Sequence, residues 1–192
     1  VFLHAAYREF GGDAYRLFPT LAWLNSGDGF LRFLCLGGLG ASLLLAAGMA
    51  PRVTAMISWV FYLSLFVVGQ EFLSFQWDIL LLEAGFLAIF LAPTCMFERL
   101  RPARPPSNLA LWLLRLLLFK LMFQSGVVKL MSGGSTWLDL SALTYHYWTQ
   151  PLPNPGAWYA TQLPLWFQKL SILVVYVVEI GVPFLIFAPR RA

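Results

Sequence analysis

Five stretches of this chain run for close to twenty residues with few charges, and that spacing constrains the fold more than any other feature. A helix rises about 1.5 Å per residue, so crossing the roughly 30 Å hydrocarbon core of a bilayer takes about 20 mostly apolar residues. The stretches are 30–49, with Arg32 near its start; 53–70, with no charge; 76–92, holding Asp78 and Glu83; 109–131, holding Arg115, Lys120 and Lys129; and 165–188, holding Lys169 and Glu179. Pro51, Pro93, Pro105, Pro106, Pro164 and Pro189 stand at or just outside their ends. That placement suits a residue that lacks a backbone donor and stops helices. Pro183 is the exception and is expected to distort the last span.

Composition supports lipid as the solvent. Hydrophobic residues make up 59% of the 192 and charged ones 11%, against about a quarter charged in soluble domains. Inside a bilayer every backbone polar group must be answered within the protein, which selects helices. The expected fold is an all-α membrane protein: a polytopic bundle of about five transmembrane helices over residues 30–192. A segment at 1–29 precedes it on the non-cytoplasmic side, and an aromatic-rich interfacial cap covers 132–164. The chain opens on Val1 without a charged-then-apolar leader and stops just after an apolar run. Both ends are therefore read as cuts, with more chain expected beyond them.

Arginines orient the bundle. With five spans, Arg52, Arg99, Arg101, Arg104, Arg190 and Arg191 fall on one side, and 132–164 on the other holds no Lys or Arg. By the positive-inside rule the arginine side is cytoplasmic. The cap is too polar to span, yet it carries Trp137, Tyr145, Tyr147, Trp148, Trp158 and Tyr159, residue types that settle at headgroup level. Gly37, Gly38, Gly40 and Ala41, and again Ala84 and Ala88, give small-residue spacings that let helices approach closely. Cys35 and Cys95 form neither a disulfide framework nor a metal-ligand spacing, and His4 and His146 are not a ligand pair. No metal and no cofactor is expected, and no nucleic-acid partner.

Ionisable groups inside a span need partners or a hydrated cavity. Counting depth along alternating helices matches Asp78 with Lys129, Glu83 with Lys120, and Glu179 with Arg115. These pairs either fix helix register or line a polar cavity.

Four blocks carry a resemblance. Phe75-Gln76-Trp77-Asp78 continuing through Leu87, Phe119–Leu130 with Gln124-Ser125-Gly126-Val127-Val128-Lys129, Leu143–Pro155 with Tyr145-His146-Tyr147-Trp148-Thr149-Gln150-Pro151, and Glu179-Ile180-Gly181-Val182-Pro183 resemble the lipase maturation factor family. Trp148 departs from the acidic residue that the family's pattern would place there. The resemblance implies a chaperone-like, non-enzymatic protein that helps secreted lipases fold and assemble. It implies the endoplasmic-reticulum membrane in a eukaryote, or the plasma membrane in a bacterium. Membrane lipids and lipase clients are the implied partners, with Tyr145, His146, Tyr147, Gln150 and Asn154 as a candidate recognition patch. A fainter similarity, Gly126–Leu130 followed by Trp137, is to the vitamin K-dependent carboxylase family. It implies a membrane-embedded transferase instead, with Lys129 and His146 as its candidate catalytic residues.

The arginine asymmetry makes a direct prediction. Cysteine labels placed in 93–108 will react from the cytoplasmic side and labels in 132–164 from the opposite side. Swapped accessibility would overturn the orientation.

Overall fold

The structure is a computed structural model that describes residues 2–97, 105–150 and 154–188. Arg99, Arg101, Arg104, Arg190 and Arg191, which carry much of the orientation argument, lie outside the described residues, as do Pro151, Pro153 and Pro189. The regular structure described is helical, apart from an isolated bridge between Met49 and Phe97. This is a polytopic all-α membrane protein. The chain divides into two compact units, Val1–Leu114 and Arg115–Ala192.

In the first unit, α1 (Phe2–Phe10) and α2 (Ala14–Leu17) precede three long helices, α3 (Asp28–Ala46), α4 (Pro51–Gly69) and α5 (Gln76–Leu91). α4 is central and packs against both α3 and α5. A Cβ on Gly37 would stand 2.6 Å from the Phe61 ring, so only glycine lets α3 and α4 approach this closely at that point. The α3–α4 turn uses positive φ at Gly48 (74°) and Ala50 (42°). Pro51 then opens α4, where its missing N–H has no helical partner to lose. The carbonyls at a helix C-terminus also lack partners. At the end of α5, Arg52 answers Ala92 O with two donors, Nε at 3.0 Å and Nη2 at 2.8 Å.

The N-terminal segment folds back onto α4. Ser64 is buried; its Oγ accepts from Leu21 N at 3.0 Å and donates to Val60 O at 2.7 Å. Thr20 Oγ1 donates to Ser64 O at 3.0 Å, and the same oxygen accepts from Ala22 N at 3.1 Å. One serine therefore ties the segment before α3 to the middle of the unit.

The helix α6 (Asn108–Met131) leads into the second unit, which continues with α7 (Ser135–Leu138), α8 (Ala142–Thr149), α9 (Pro155–Thr161) and α10 (Leu165–Tyr176). α10 continues as a π-helical turn, Val177–Gly181, and a 3₁₀ stretch, Val182–Phe187. Pro183 explains the change: without an N–H it cannot bond the carbonyl of Glu179 four residues back. Val182 N donates to Val177 O, five residues back. Phe119 and Phe123 on α6 meet Phe184 edge-on at 5.2 and 5.6 Å.

Four stretches are long and apolar enough to span a bilayer: Asp28–Ala46, Pro51–Leu73, Asn108–Met131 and Leu165–Phe187, with mean hydropathy between 1.6 and 2.4. No more than 11% of any of them is buried within the protein, so their outer faces require lipid. The expected fifth span, at 76–92, is the 16-residue α5. At 1.5 Å per residue it is about 24 Å long, shorter than the other four, and its end returns to the start of α4, where Arg52 bonds Ala92 O.

The Ser64 tie yields a prediction. Ser64→Ala leaves Leu21 N without its partner and should cost about 1–3 kcal/mol. Thermal unfolding of the detergent-solubilised protein, with protease cleavage near Thr20 as the local readout, checks it. Unchanged cleavage would contradict the tie.

Candidate functional site

Two of the sequence blocks meet in the second unit. Lys129 lies in the last turn of α6, two residues before its end, and Glu179 lies in the middle of the π turn. Lys129 Nζ donates to both carboxylate oxygens of Glu179 at 2.7 Å and to Ser125 Oγ at 2.9 Å. Ser125 stands one helical turn before Lys129, on the same face. The Trp137 ring lies 5.5 Å from Nζ, within range of a cation–π attraction. Tyr176 Oη donates to Trp137 O at 2.9 Å, which fixes that ring's backbone to the end of α10. Both charged side chains keep 21% of their surface exposed.

Close packing makes the pair possible. A Cβ on Gly126 would stand 2.5 Å from Ile180 Cγ1 and 3.2 Å from Glu179 Cβ. Glycine at 126 is thus what lets α6 reach the π turn. The π geometry redirects the backbone that carries Glu179, a common device where an α-helix must present one side chain differently.

This arrangement corrects the depth matching. Lys129, expected opposite Asp78, is met by Glu179, and Glu179, expected opposite Arg115, is met by Lys129. The reason is that Leu165 is not at the level of the end of α6. α10 packs against α8, and Tyr176, at the end of α10, bonds Trp137, six residues past the end of α6. Counting from Leu165 therefore placed Glu179 too deep. Asp78, buried on α5, instead accepts a short hydrogen bond from Tyr62 Oη of α4. Glu83 with Lys120 remains a proposal.

Chemically, the ammonium of Lys129 has all its protons directed at acceptors: two carboxylate oxygens and a hydroxyl. That is the geometry of a clamp between two helices. A general base must instead have a lone pair free to take a proton from a substrate.

The candidate patch is spread over a short helix and the start of the next. Tyr145 and His146 are exposed on α8, while Tyr147 and Gln150 are half-buried. Asn154 caps α9, its Oδ1 accepting from Ala157 N at 3.0 Å, with Pro155 at the first helical position. Its side-chain oxygen therefore has a structural task. Sequence reasoning missed Tyr62 and Tyr176, and it named Ser125 and Trp137 only within motifs, without their place beside Lys129. Ser125 was visible as the residue one turn before Lys129; Tyr62, inside a charge-free run, gave no signal.

Fold and site together define a polytopic α-helical membrane protein whose charged centre holds helices to each other. The Lipase maturation factor transmembrane domain family matches residues 5–192. The chain belongs to that family. Lipase maturation factor 2 of Gallus gallus is 53% identical over 181 residues, covering 90% of this chain and 25% of that protein. The Homo sapiens lipase maturation factor 2 is 46% identical over 194 residues, covering 90% and 27%. Lipase maturation factor 1 of Bos taurus is 40% identical over 198 residues, covering 99% and 35%. The chain thus spans about a quarter to a third of the length of these relatives. No solved structure matches it. The comparisons give no support to the carboxylase likeness or to the bacterial plasma membrane.

Gly126→Ala should push α6 off the π turn, at about 1–3 kcal/mol for an overpacked contact. Adding Ile180→Ala removes the atom the new methyl would meet and should recover part of that loss. Melting temperatures of the parent protein and the two variants in detergent decide it; equal loss in the single and double variants would contradict the contact.

Proposed function

We propose that this chain is the membrane domain of a maturation factor that helps secreted lipases fold and assemble. On this reading it lies in the endoplasmic-reticulum membrane, with α7–α9 on the lumenal side and the arginine-bearing loops in the cytoplasm. The observation that carries the reading is the family match over residues 5–192, among relatives named lipase maturation factors 1 and 2. The Lys129–Glu179 geometry supports it, because a fully engaged ammonium serves the domain's shape. The client is then met by surface, and exposed Tyr145 and His146 on α8 supply aromatic anchors of the kind that dominate recognition when buried by a partner.

The test uses the full-length protein in a lipase-secretion assay, with membrane abundance measured alongside. Lys129→Arg keeps the charge and can still engage both oxygens of Glu179, so lipase activity should stay near normal. Lys129→Met strands the carboxylate and should cost about 3–5 kcal/mol or somewhat less at this partial exposure, which lowers abundance. Tyr145→Ala with His146→Ala should lower secreted lipase activity at normal abundance. Loss of lipase maturation in Lys129→Arg with the protein intact and inserted would contradict the structural role, since arginine cannot act as a base.

A further inference from the structure

The charges that flank α4 set the level of the bilayer on the first unit. Residues 53–70 hold no charge between Arg52 and Glu71. At 1.5 Å per residue they measure about 27 Å, close to the roughly 30 Å hydrocarbon core. The end of α4 at Gly69 therefore marks one boundary. α3 runs antiparallel beside it, with Gly37 against Phe61 and Ser42 Oγ 3.3 Å from Ser58 Oγ. Carried back along α3, that register sets Asp28, where the helix starts, level with Gln70. Two helices thus place the boundary at the same level.

The segment before α3 reaches below that level. Ser64, which holds Thr20 and Leu21, stands five residues before Gly69, about 8 Å inside the boundary. Backbone that enters hydrocarbon must find its partners within the protein. Here Phe18 N donates to Ala14 O, Leu21 N to Ser64 Oγ, Ala22 N to Thr20 Oγ1 and Leu24 N to Leu21 O. Pro19 has no N–H to satisfy, and the indole N–H of Trp23 donates to Phe18 O at 2.8 Å.

The side chains follow the same division. Residues 17–27 carry no charge, and Leu17 and Leu24 are 55% and 79% exposed. Arg16, just before them, is exposed, and its long stem lets the guanidinium reach the headgroups. Tyr7, Tyr15 and Trp23 form a chain of rings with centroids 5.9 and 4.7 Å apart. These residue types favour the headgroup level.

We propose that residues 17–24 form a re-entrant wedge set into one leaflet beside α4, with Leu17 and Leu24 against lipid acyl chains. Lipid is the occupant of that apolar surface because its level on α4 is the level of hydrocarbon. The wedge depends on the depth of the chain alone, in whichever leaflet α4 ends. It stands or falls separately from the maturation reading.

Full-length protein in phosphatidylcholine liposomes tests this. One preparation carries phosphatidylcholine with a diazirine on the acyl chain, a second receives a water-soluble diazirine, and labelled peptides are mapped by mass spectrometry. Leu36 of α3, 68% exposed and level with Ser64 by the register above, is the reference for hydrocarbon; exposed Glu71 is the reference for water. The acyl probe should label 17–24 as strongly as Leu36, and the water-soluble probe should label Glu71 and spare 17–24. Leu24→Asp should lower the inserted amount severalfold, because a charge is costly in hydrocarbon, whereas Leu24→Ala should leave it unchanged. In water an exposed leucine would tolerate either change. Acyl labelling of 17–24 far below that of Leu36, water-soluble labelling equal to that of Glu71, or equal insertion of the two Leu24 variants would overturn the proposal. Protection of 17–24 from the water-soluble probe by an added lipase would also overturn it and assign the surface to a client.

Discussion

Hydrocarbon offers no water to a stranded charge, and the second unit is arranged around that fact at Lys129 and Glu179. The ammonium of α6 and the carboxylate of the π turn answer each other at 2.7 Å, and Ser125 takes the remaining proton. Other features serve this meeting. Gly126 removes the side chain that would hold the helices apart. Pro183 removes the N–H that would keep Glu179 in regular α-geometry. Trp137 lies close to the cation, and Tyr176 holds Trp137 in place. In the first unit the same constraint acts through hydrogen bonds: Ser64 with Thr20 and Leu21, Arg52 on the Ala92 carbonyl just past α5, and Tyr62 on Asp78.

Much of the fold was legible because lipid leaves a chain few choices. Apolar runs bounded by prolines fix where helices start and stop, and α4 opens on Pro51 and α10 follows Pro164, as the punctuation implied. The run at 76–92 was harder to classify. It is the shortest of the five, and α5 follows it to within one residue, with Ala92 leaving helical geometry before Pro93. The structure of the first 27 residues was not legible, since Ser64 sits in a charge-free run and nothing in its neighbours announces a partner more than forty residues away.

The site was legible as a set of residues and not as a set of pairs. Lys129, Glu179 and Asp78 stood out because charges in spans are rare. Pairing them by depth assumed that each helix begins at the membrane surface. α10 breaks that assumption: Tyr176, at its end, bonds Trp137, six residues past the end of α6. The search also looked only for opposite charges, so a tyrosine hydroxyl answering Asp78 went unseen. The Gly181-Val182-Pro183 sequence did signal a break in the last helix, but not that the break would turn Glu179 toward α6.

Reversing the charges of the clamp tests its central role most directly. Lys129→Glu and Glu179→Lys would each place two like charges where an ion pair now sits. The combination restores an opposite pair at the same two positions. The account predicts that either single reversal sharply lowers the amount of inserted full-length protein and that the double reversal restores a substantial part of it. If the double variant inserts no better than the worse single, Lys129 and Glu179 do not hold these helices together.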